Sequence, residues 1–349
     1  MPRIPPWLFR QARRESPDLA TLLPACRDLV SARNELRWLR EHCNEPRRLA
    51  NLCRDRGRGF PLQYILESQP FGHLDIKCRP GVLIPRSETE AYACHLADLI
   101  VGTRFFHSCR PLKVLDLCSG TGCISLLLFS RLQSSFDDLD VLGVDMSPDA
   151  IELALENVDR NRKLGHMGYP TTTQSLRFAR RDIFEDEAMR PLVGERWDVL
   201  VSNPPYIAPR IWNCGMGQVG YSVRKFEPQL ALVPGPQVPV SEGWERADAF
   251  YARLLDLAVL VDSKLLVLEL GDEAQARRIL AHFSQHPLAQ TSTVEVWRDW
   301  PDQTAGEGGD ASSLGIVAGS DRAFNVPIRG SGQIRSLFVK KRTINAAVF

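Results

Sequence analysis

The chain has 349 residues, 44% of them hydrophobic and 24% charged, and its 43 basic side chains are balanced by 42 acidic ones. These values are ordinary for a globular protein and exclude collagen-like, coiled-coil and wholly disordered chains. No apolar run is long enough to cross a bilayer, and a net charge of +1 excludes a global electrostatic attraction to nucleic acid.

The charge is uneven along the chain. Residues 1–60 hold 13 arginines and seven acidic residues, an excess of 13 − 7 = +6. Arg3, Arg10, Arg13 and Arg14 precede the first acidic residue, which favours mitochondrial import, with the cytoplasm as the alternative. A solvated helical surface explains the excess equally well.

The nine cysteines form no C-x-x-C pair and no Cys/His cluster with metal-ligand spacing. They indicate buried thiols in a reducing compartment and no metal site.

We also expect no membrane association and no stable nucleic-acid binding, and we expect the protein to be a monomer.

Apolar residues recur at helical spacing between residues 19 and 55, which predicts two to four short helices. We assign residues 1–70 to a small helical domain for substrate recognition. Alternating Leu74, Ile76 and Cys78, a turn at Pro80 and Gly81, and an apolar run over 82–84 predict a β-hairpin in a linker over 71–95.

From Leu112 onward, apolar strands alternate with helices of 10–15 residues, a pattern typical of an α/β fold with a doubly wound parallel sheet. One of these helices is expected to begin with Ser147 as its N-cap and Pro148 at its first position. We assign this domain to residues 96–349, with a polar surface loop or hairpin insertion at about 301–332.

A loop of small residues follows the first of these strands, where parallel sheets bind their ligands: Cys118, Ser119, Gly120, Thr121 and Gly122. The next strand ends in Asp145, whose carboxylate is placed to accept two hydrogen bonds from a ribose diol. Together they indicate a site for a nucleoside-type cofactor.

The loop differs from the dinucleotide fingerprint G-x-G-x-x-G, because the third glycine is missing. The series D-x-x-x-G-x-G starting at Asp116, with an acid ending the next strand, resembles class I S-adenosylmethionine-dependent methyltransferases. The alternative, an NAD oxidoreductase, lacks an evident histidine or Tyr/Lys pair for hydride transfer.

Asn203, Pro204, Pro205 and Tyr206 follow a fourth strand. Consecutive prolines remove two backbone donors and stiffen the chain. The Asn203 side-chain oxygen and the Pro204 carbonyl can then accept both hydrogens of a planar NH₂ group, and Tyr206 can hold its flat face. This motif predicts methylation of an amide or amino nitrogen.

Further motifs resemble the HemK/PrmC family of release factor glutamine methyltransferases. They are Leu83-Ile84-Pro85-Arg86-Ser87-Glu88-Thr89-Glu90, Phe226-Glu227-Pro228 and Glu269-x-Gly271-x-x-x-Gln275. The resemblance implies a class I S-adenosylmethionine-dependent methyltransferase fold, Rossmann-like, with a mostly parallel seven-stranded sheet. It also implies a substrate, the glutamine of the Gly-Gly-Gln motif in a class 1 peptide chain release factor, methylated on its amide nitrogen.

The resemblance also assigns site residues. Cofactor contacts fall to Cys118, Ser119, Gly120, Thr121, Gly122, Asp145, Asp182, Ile183 and Asn203, and catalysis to Asn203, Pro204, Pro205 and Tyr206. Substrate contacts fall to these last four with Phe71, Arg86, Thr89 and Glu90. For Ile183 and Phe71, a place in the core is an equal alternative. For Arg86, Thr89 and Glu90, an equal alternative is a scaffold role that braces the hairpin. Cys118 stands where the family usually has glycine, which predicts altered affinity for the cofactor.

Two other functions fit the same residues. An RNA or DNA amino-group methyltransferase would use the same Asn-Pro-Pro-Tyr motif on a base, and the excess of +6 in residues 1–60 is its best support. A non-catalytic partner of the translation machinery would retain cofactor binding alone.

Overall fold

The computed structural model describes residues 3–102, 111–214, 217–304, 312–318 and 322–342. The chain divides into two compact units. One comprises Met1–Gln69, Lys77–Ile84 and Arg210–Gln229, and the other comprises Pro70–Ile76, Pro85–Pro209 and Leu230–Phe349. The predicted domain limits at residues 70 and 95 stay a prediction.

In the described part of the chain, helices come first, and strands and helices then follow in mixed order. The helices are α1 (Pro6–Glu15), α2 (Pro17–Cys26), α3 (Leu29–His42), α4 (Pro46–Gly57), α5 (Leu62–Leu66), α6 (Ser87–Gly102), α7 (Cys123–Leu132), α8 (Pro148–Lys163), α9 (Asp186–Val193), α10 (Pro209–Cys214), α11 (Tyr221–Phe226), α12 (Ala249–Leu260), α13 (Glu273–Phe283) and α14 (Pro287–Thr291). The strands are β1 (Ser68–Phe71), β2 (Leu74–Lys77), β3 (Leu112–Leu117), β4 (Leu139–Asp145), β5 (Gln174–Arg180), β6 (Val199–Ser202), β7 (Leu265–Glu269), β8 (Ser292–Trp300), β9 (Ser313–Ala318), β10 (Arg322–Arg329) and β11 (Ser331–Lys341). Within these residues, no helix is both long and apolar enough to span a membrane.

The first unit is built on α1–α5. Helices α2, α3 and α4 lie in the predicted helical stretch, whereas α1 and α5 were not predicted. The N-terminal prolines do not prevent α1, because a proline at the first helical position gives up an N–H that would have no partner there. Apolar side chains with no exposed surface, among them Leu22, Leu39 and Cys53, form the core of this unit.

The hairpin lies earlier in the chain than predicted, since β2 pairs with β1 and not with residues 82–84. Gly72, with φ of 59°, supplies the left-handed residue that the tight turn after β1 requires. Main-chain groups of residues 82–84 are bound by side chains: Tyr64 donates to the Val82 carbonyl over 2.8 Å, and Glu227 accepts from the Ile84 N–H over 3.3 Å. This segment therefore needs no partner strand.

The second unit contains a sheet of nine strands among the described residues, in the order β5-β4-β3-β6-β7-β11-β8-β10-β9. Strands β5, β4, β3, β6 and β7 run parallel, and β11 is antiparallel to both its neighbours. The seven-stranded, mostly parallel sheet is thus present, and β10 and β9 extend it beyond β8. These two additional strands lie in the predicted insertion, of which residues 305–311 and 319–321 fall outside the described part.

Both faces of the sheet are buried. Neighbouring residues on one strand enter different apolar clusters: Val114 and Val267 belong to one, and Leu115 and Leu268 to the other. This alternation follows from the two-residue period of a β-strand, and burial on both faces is typical of a parallel sheet. The carboxyl ends of β3, β4, β6 and β7 consequently meet at one edge.

Candidate active site

The loop after β3 turns sharply at three left-handed residues. Cys118 has φ of 64°, Gly120 of 53° and Gly122 of 77°. The Ser119 N–H donates to the Val144 carbonyl over 3.0 Å, and the Gly122 N–H donates back to the Ser119 carbonyl over 2.8 Å. The loop is therefore a fixed turn that leads directly into α7. Cys118 adopts a conformation that glycine takes without strain, which explains the usual glycine at this position of the family motif.

Asp145 ties this loop to the end of β4. Its Oδ2 accepts from the Gly120 N–H and its Oδ1 from the Ser147 N–H, each over 2.9 Å. Burial raises the pKa of the carboxyl group, and the N–H donors oppose that rise. Each oxygen retains acceptor capacity, so the carboxylate can still bind two hydroxyls of a ligand. The Ser147 side chain also accepts from the Ala150 N–H, which confirms the predicted cap of α8.

The two glycines of the loop have different surroundings. A methyl group at Gly122 would lie 2.8 Å from Cζ of Phe178 and 3.0 Å from Cβ of Ala154. At Gly120 the same methyl group would meet no atom within 4 Å. Gly122 therefore serves the packing of the loop, whereas Gly120 borders open space in which a ligand can approach the backbone.

Two buried polar atoms beside the loop have no hydrogen-bond partner among the described residues, Ser119 Oγ and Asp116 Oδ1. The other oxygen of Asp116 accepts from the N–H and the hydroxyl of Ser125, over 3.1 and 2.6 Å. Burial raises the pKa of Asp116 to about 7. Unpartnered buried polar atoms cost free energy, so a polar ligand in this loop would relieve that cost.

Asp182 and Ile183 follow β5 at the same edge. Asp182 Oδ1 accepts from the Phe184 N–H over 2.9 Å. The Ile183 side chain is 4% exposed and packs in the apolar core with Leu115 and Leu142, so it offers little surface to an adenine ring. Its place in the cofactor site stays a prediction.

The Asn-Pro-Pro-Tyr motif begins directly after β6. The Ser202 hydroxyl donates to the Leu117 carbonyl over 2.7 Å, so the motif and the loop at Cys118 start side by side. The Asn203 Nδ2 donates to the Thr89 hydroxyl over 3.4 Å, and Pro204 and Pro205 are buried. The structure therefore brings Asn203 and Thr89, both predicted as site residues, into contact.

Tyr206 is held at both ends. Its hydroxyl donates to Oε1 of Glu269 over 3.2 Å, and its carbonyl accepts from Nε2 of Gln275 over 3.2 Å. Gln275 also accepts from the Gly271 N–H over 2.8 Å. Burial raises the pKa of the Tyr206 hydroxyl, Glu269 adds to that rise, and the charges of Arg335 and Arg86 oppose it.

The other predicted substrate residues lie in different environments. Arg86 and Glu90 are half-buried at the start of α6, where the Glu90 N–H donates to the Arg86 carbonyl over 3.1 Å. Phe71 is fully buried in the same apolar cluster as Val114 and Val267. It anchors the end of β1 and presents no surface to a substrate.

Sequence reasoning assigned no role to Glu269 or Gln275, although both belong to a motif that resembles the family. A signal was present, because Glu269 is the one charged residue in the apolar run over 265–270. A carboxyl group buried at the end of a central strand requires polar partners, and here they are Thr89 and Tyr206.

Several known proteins are similar to this chain in sequence. A family model described as a methyltransferase domain matches residues 110–221. The mitochondrial MRF1 N(5)-glutamine methyltransferase MTQ1 of Saccharomyces cerevisiae is 38% identical over 233 residues, which are 67% of this chain and 68% of that protein. The probable MRF1 mitochondrial N(5)-glutamine methyltransferase of Schizosaccharomyces pombe is 33% identical over 285 residues, 77% of this chain and 86% of that one.

The chain belongs to the family of release factor glutamine methyltransferases. A bacterial member, the release factor glutamine methyltransferase of Geobacter sulfurreducens, is 34% identical over 69% of this chain and 70% of its own. Membership in this family confirms the predicted fold class, the predicted methyltransferase activity and S-adenosylmethionine as the cofactor. The individual site residues stay predictions.

Proposed function

We propose that this methyltransferase transfers a methyl group from S-adenosylmethionine to the side-chain amide nitrogen of the glutamine in the Gly-Gly-Gln motif of a class 1 release factor. The names of the relatives support this substrate, since the Saccharomyces cerevisiae protein and the bacterial one are named as glutamine methyltransferases and the Schizosaccharomyces pombe protein as a probable one. The observation that carries the proposal is the contact between Asn203 and Thr89 beside the loop at Cys118.

The loop and the strand ends fit S-adenosylmethionine. The open space at Gly120 admits a ligand to the backbone, and the Asp145 carboxylate can accept from a ribose diol. Ser119 Oγ and Asp116 Oδ1 are buried polar atoms that still need partners, which suits a ligand with polar ends. When bound, S-adenosylmethionine supplies an electrophilic methyl group on a sulfonium.

The Asn-Pro-Pro-Tyr motif is suited to hold a carboxamide. A primary amide nitrogen is planar and a weak nucleophile, so both its hydrogens must be directed for the lone pair to face the methyl group. The Asn203 side-chain oxygen and the Pro204 carbonyl supply two acceptors. Next in the chain, Tyr206 is held by the bond of its hydroxyl to Glu269 and the bond of its carbonyl to Gln275. Such orientation can contribute about 7–11 kcal/mol to the lowering of a barrier.

In the reaction a nitrogen–carbon bond forms, the sulfur–methyl bond breaks and one amide proton leaves to solvent. The residues would act by orientation, because the sulfonium sulfur would leave as a neutral thioether and no negative charge would need to be stabilised. An oxyanion-type donor site is accordingly not required.

The decisive experiment is methyl transfer in vitro. The purified protein is incubated with labelled S-adenosylmethionine and a recombinant mitochondrial or bacterial-type release factor, and the Gly-Gly-Gln peptide is analysed by mass spectrometry. We expect one added methyl group on the glutamine. Transfer that persists after Gln→Ala in Gly-Gly-Gln would overturn the proposal.

We also propose that the protein acts in mitochondria. Both yeast relatives are named as mitochondrial, and the first four arginines precede any acidic residue. Fractionation of cells that carry a C-terminally tagged chain tests this, with the expectation that the tag follows a mitochondrial matrix marker. A tag that stays with cytoplasmic markers contradicts it.

A further inference from the structure

Glu269 is a buried carboxyl group at the end of β7 that binds a second side chain besides Tyr206. Its side chain is 1% exposed. The Thr89 hydroxyl donates to its Oε2 over 2.6 Å, and the Tyr206 hydroxyl donates to its Oε1 over 3.2 Å. An ionised carboxylate accepts hydrogen bonds and donates none, so the only hydrogen of the Thr89 hydroxyl points at Glu269.

The direction of the Thr89 hydrogen also affects Asn203. With its hydrogen committed, the Thr89 hydroxyl presents only lone pairs to Asn203, whose Nδ2 lies 3.4 Å away. A bond of that length is weak by itself. The opposite amide orientation, however, would place Oδ1 against the same lone pairs, and two acceptors repel each other. Thr89 thereby excludes the flipped amide.

We propose that Glu269 is a positioning residue that, through the Thr89 hydroxyl, fixes the Asn203 side chain with its oxygen toward the substrate amide. The inference rests on the proposed function, in which Asn203 must accept a hydrogen from the glutamine NH₂. In the flipped orientation Asn203 would present its own NH₂ group, and two donors would meet.

The charge of Glu269 decides whether this arrangement holds. The groups around it come from three elements and one loop: Thr89 and Tyr92 on α6, Tyr206 after β6, Tyr251 on α12, whose hydroxyl donates to the Glu269 carbonyl over 2.7 Å, and Arg335 on β11. Burial raises the pKa of Glu269 above its ordinary value. The Thr89 bond, the Arg335 charge and the hydroxyls of Tyr206 and Tyr92 offset part of that rise. A protonated Glu269 can donate to Thr89, which frees the threonine hydrogen and permits the amide to flip. Activity should therefore fall as the pH drops through this pKa.

The test uses the full-length protein with three threonine variants. Thr89→Val removes the hydroxyl and keeps the shape, Thr89→Ser restores a hydroxyl, and Thr173→Val is the matched control. The Thr173 hydroxyl donates to the Asp137 carbonyl over 2.7 Å just before β5, at the opposite edge of the sheet. We expect Thr89→Val to lower kcat about tenfold or more, without changing the KM for S-adenosylmethionine. Thr89→Ser should recover most of the kcat that Thr89→Val loses, and Thr173→Val should stay near wild type.

Glu269→Gln tests the charge. Its amide can accept from Thr89 and donate to Tyr206, so the orientation of Asn203 persists at every pH. We expect this variant to lose the acid limb of the kcat profile that the wild type shows. Equal kcat in Thr89→Val and Thr173→Val, or an acid limb unchanged in Glu269→Gln, overturns the inference.

A measurement without substrate separates this inference from the proposed function. In protein labelled with ¹⁵N at asparagine, the Asn203 side-chain amide is assigned by its loss in Asn203→Ser. We expect its signal to titrate in the wild type and to lose that titration in Thr89→Val and Glu269→Gln. If release factors are not methylated but this pattern is found, the proposed function fails and the arrangement of Glu269 stands. If they are methylated and the signal ignores both substitutions, the arrangement fails alone.

Discussion

The Gly120 N–H donates to Oδ2 of Asp145 over 2.9 Å, so the loop after β3 and the end of β4 hold each other in place. The Ser147 N–H occupies the other oxygen of the same carboxylate. One side chain thus organises the loop, the strand end and the start of α8. The carboxylate that we expect to bind the cofactor ribose is also the group that shapes the loop around it.

Asp145→Asn should weaken S-adenosylmethionine binding. The amide supplies one acceptor oxygen where the carboxylate supplies two, so one of the N–H groups of Gly120 and Ser147 would face an NH₂ group. We expect the dissociation constant, measured by isothermal titration calorimetry, to rise about 10- to 100-fold.

Asp140→Asn is the matched control, because Asp140 lies on the same strand and binds Arg177 and Ser175. It should leave the affinity unchanged. Equal affinities in the two variants would show that Asp145 does not contact the cofactor.

Gly120→Ala should mainly weaken cofactor binding, whereas Gly122→Ala should mainly lower the stability of the fold. Both residues have positive φ, which costs an alanine about 1–2 kcal/mol. At Gly122 the new methyl group also collides with Phe178 and Ala154, so we expect a total loss of about 2–5 kcal/mol in the free energy of unfolding.

At Gly120 the methyl group enters open space, so the fold should persist while cofactor binding weakens. Denaturant titration gives the stabilities and calorimetry the affinities. A Gly120→Ala protein that binds S-adenosylmethionine like the wild type would remove this residue from the cofactor site.

Asn203→Ala should separate binding from chemistry. The substitution removes one of the two acceptors proposed for the glutamine NH₂ group but leaves the loop and Asp145 intact. We expect methyl transfer to fall by at least about 100-fold, with most of the affinity for S-adenosylmethionine retained. Asn325→Ala, at an exposed position on β10, serves as the control. Substantial methyl transfer by Asn203→Ala would refute the proposed hydrogen bond between Asn203 and the substrate amide.

Asp116 should make stability depend on pH. Its pKa of about 7 in the folded protein lies above the ordinary value of 3.8, so between these values the folded state holds a proton that the unfolded chain has released. The contribution of Asp116 to the free energy of unfolding is fully present below the pKa of the unfolded chain and is lost as the pH rises toward 7.

Asp116→Asn removes that decline. The stability of the variant relative to wild type, measured by denaturant titration at pH 5 and pH 8, should therefore improve toward pH 8 by a few kcal/mol, as an order of magnitude. Asp137→Asn makes the same charge change at an exposed position and should keep the wild-type slope. A parallel slope for Asp116→Asn would mean that Asp116 does not titrate in this range.

Sequence patterns predicted much of the second unit because its elements are local. The local patterns are a segment with four apolar residues over 112–117, a cap at Ser147 and a proline pair after Asn203. At these places the structure has a strand, a helix start and a strand end. The hairpin was displaced because the alternation of Leu74 and Ile76 fits a strand whichever neighbour it pairs with.

By itself, the sequence determined the alternation of strands and helices after Leu112, the loop at Gly120 and the motif at Asn203, because periodicity and turn chemistry act between residues a few positions apart. Only the tertiary structure decided that Glu269 and Thr89, 180 residues apart in the chain, share a hydrogen bond, and that Thr89 contacts Asn203. Partners of a buried carboxyl group are chosen by which strands and helices pack together. That choice depends on the whole sheet, and no short stretch of sequence contains it.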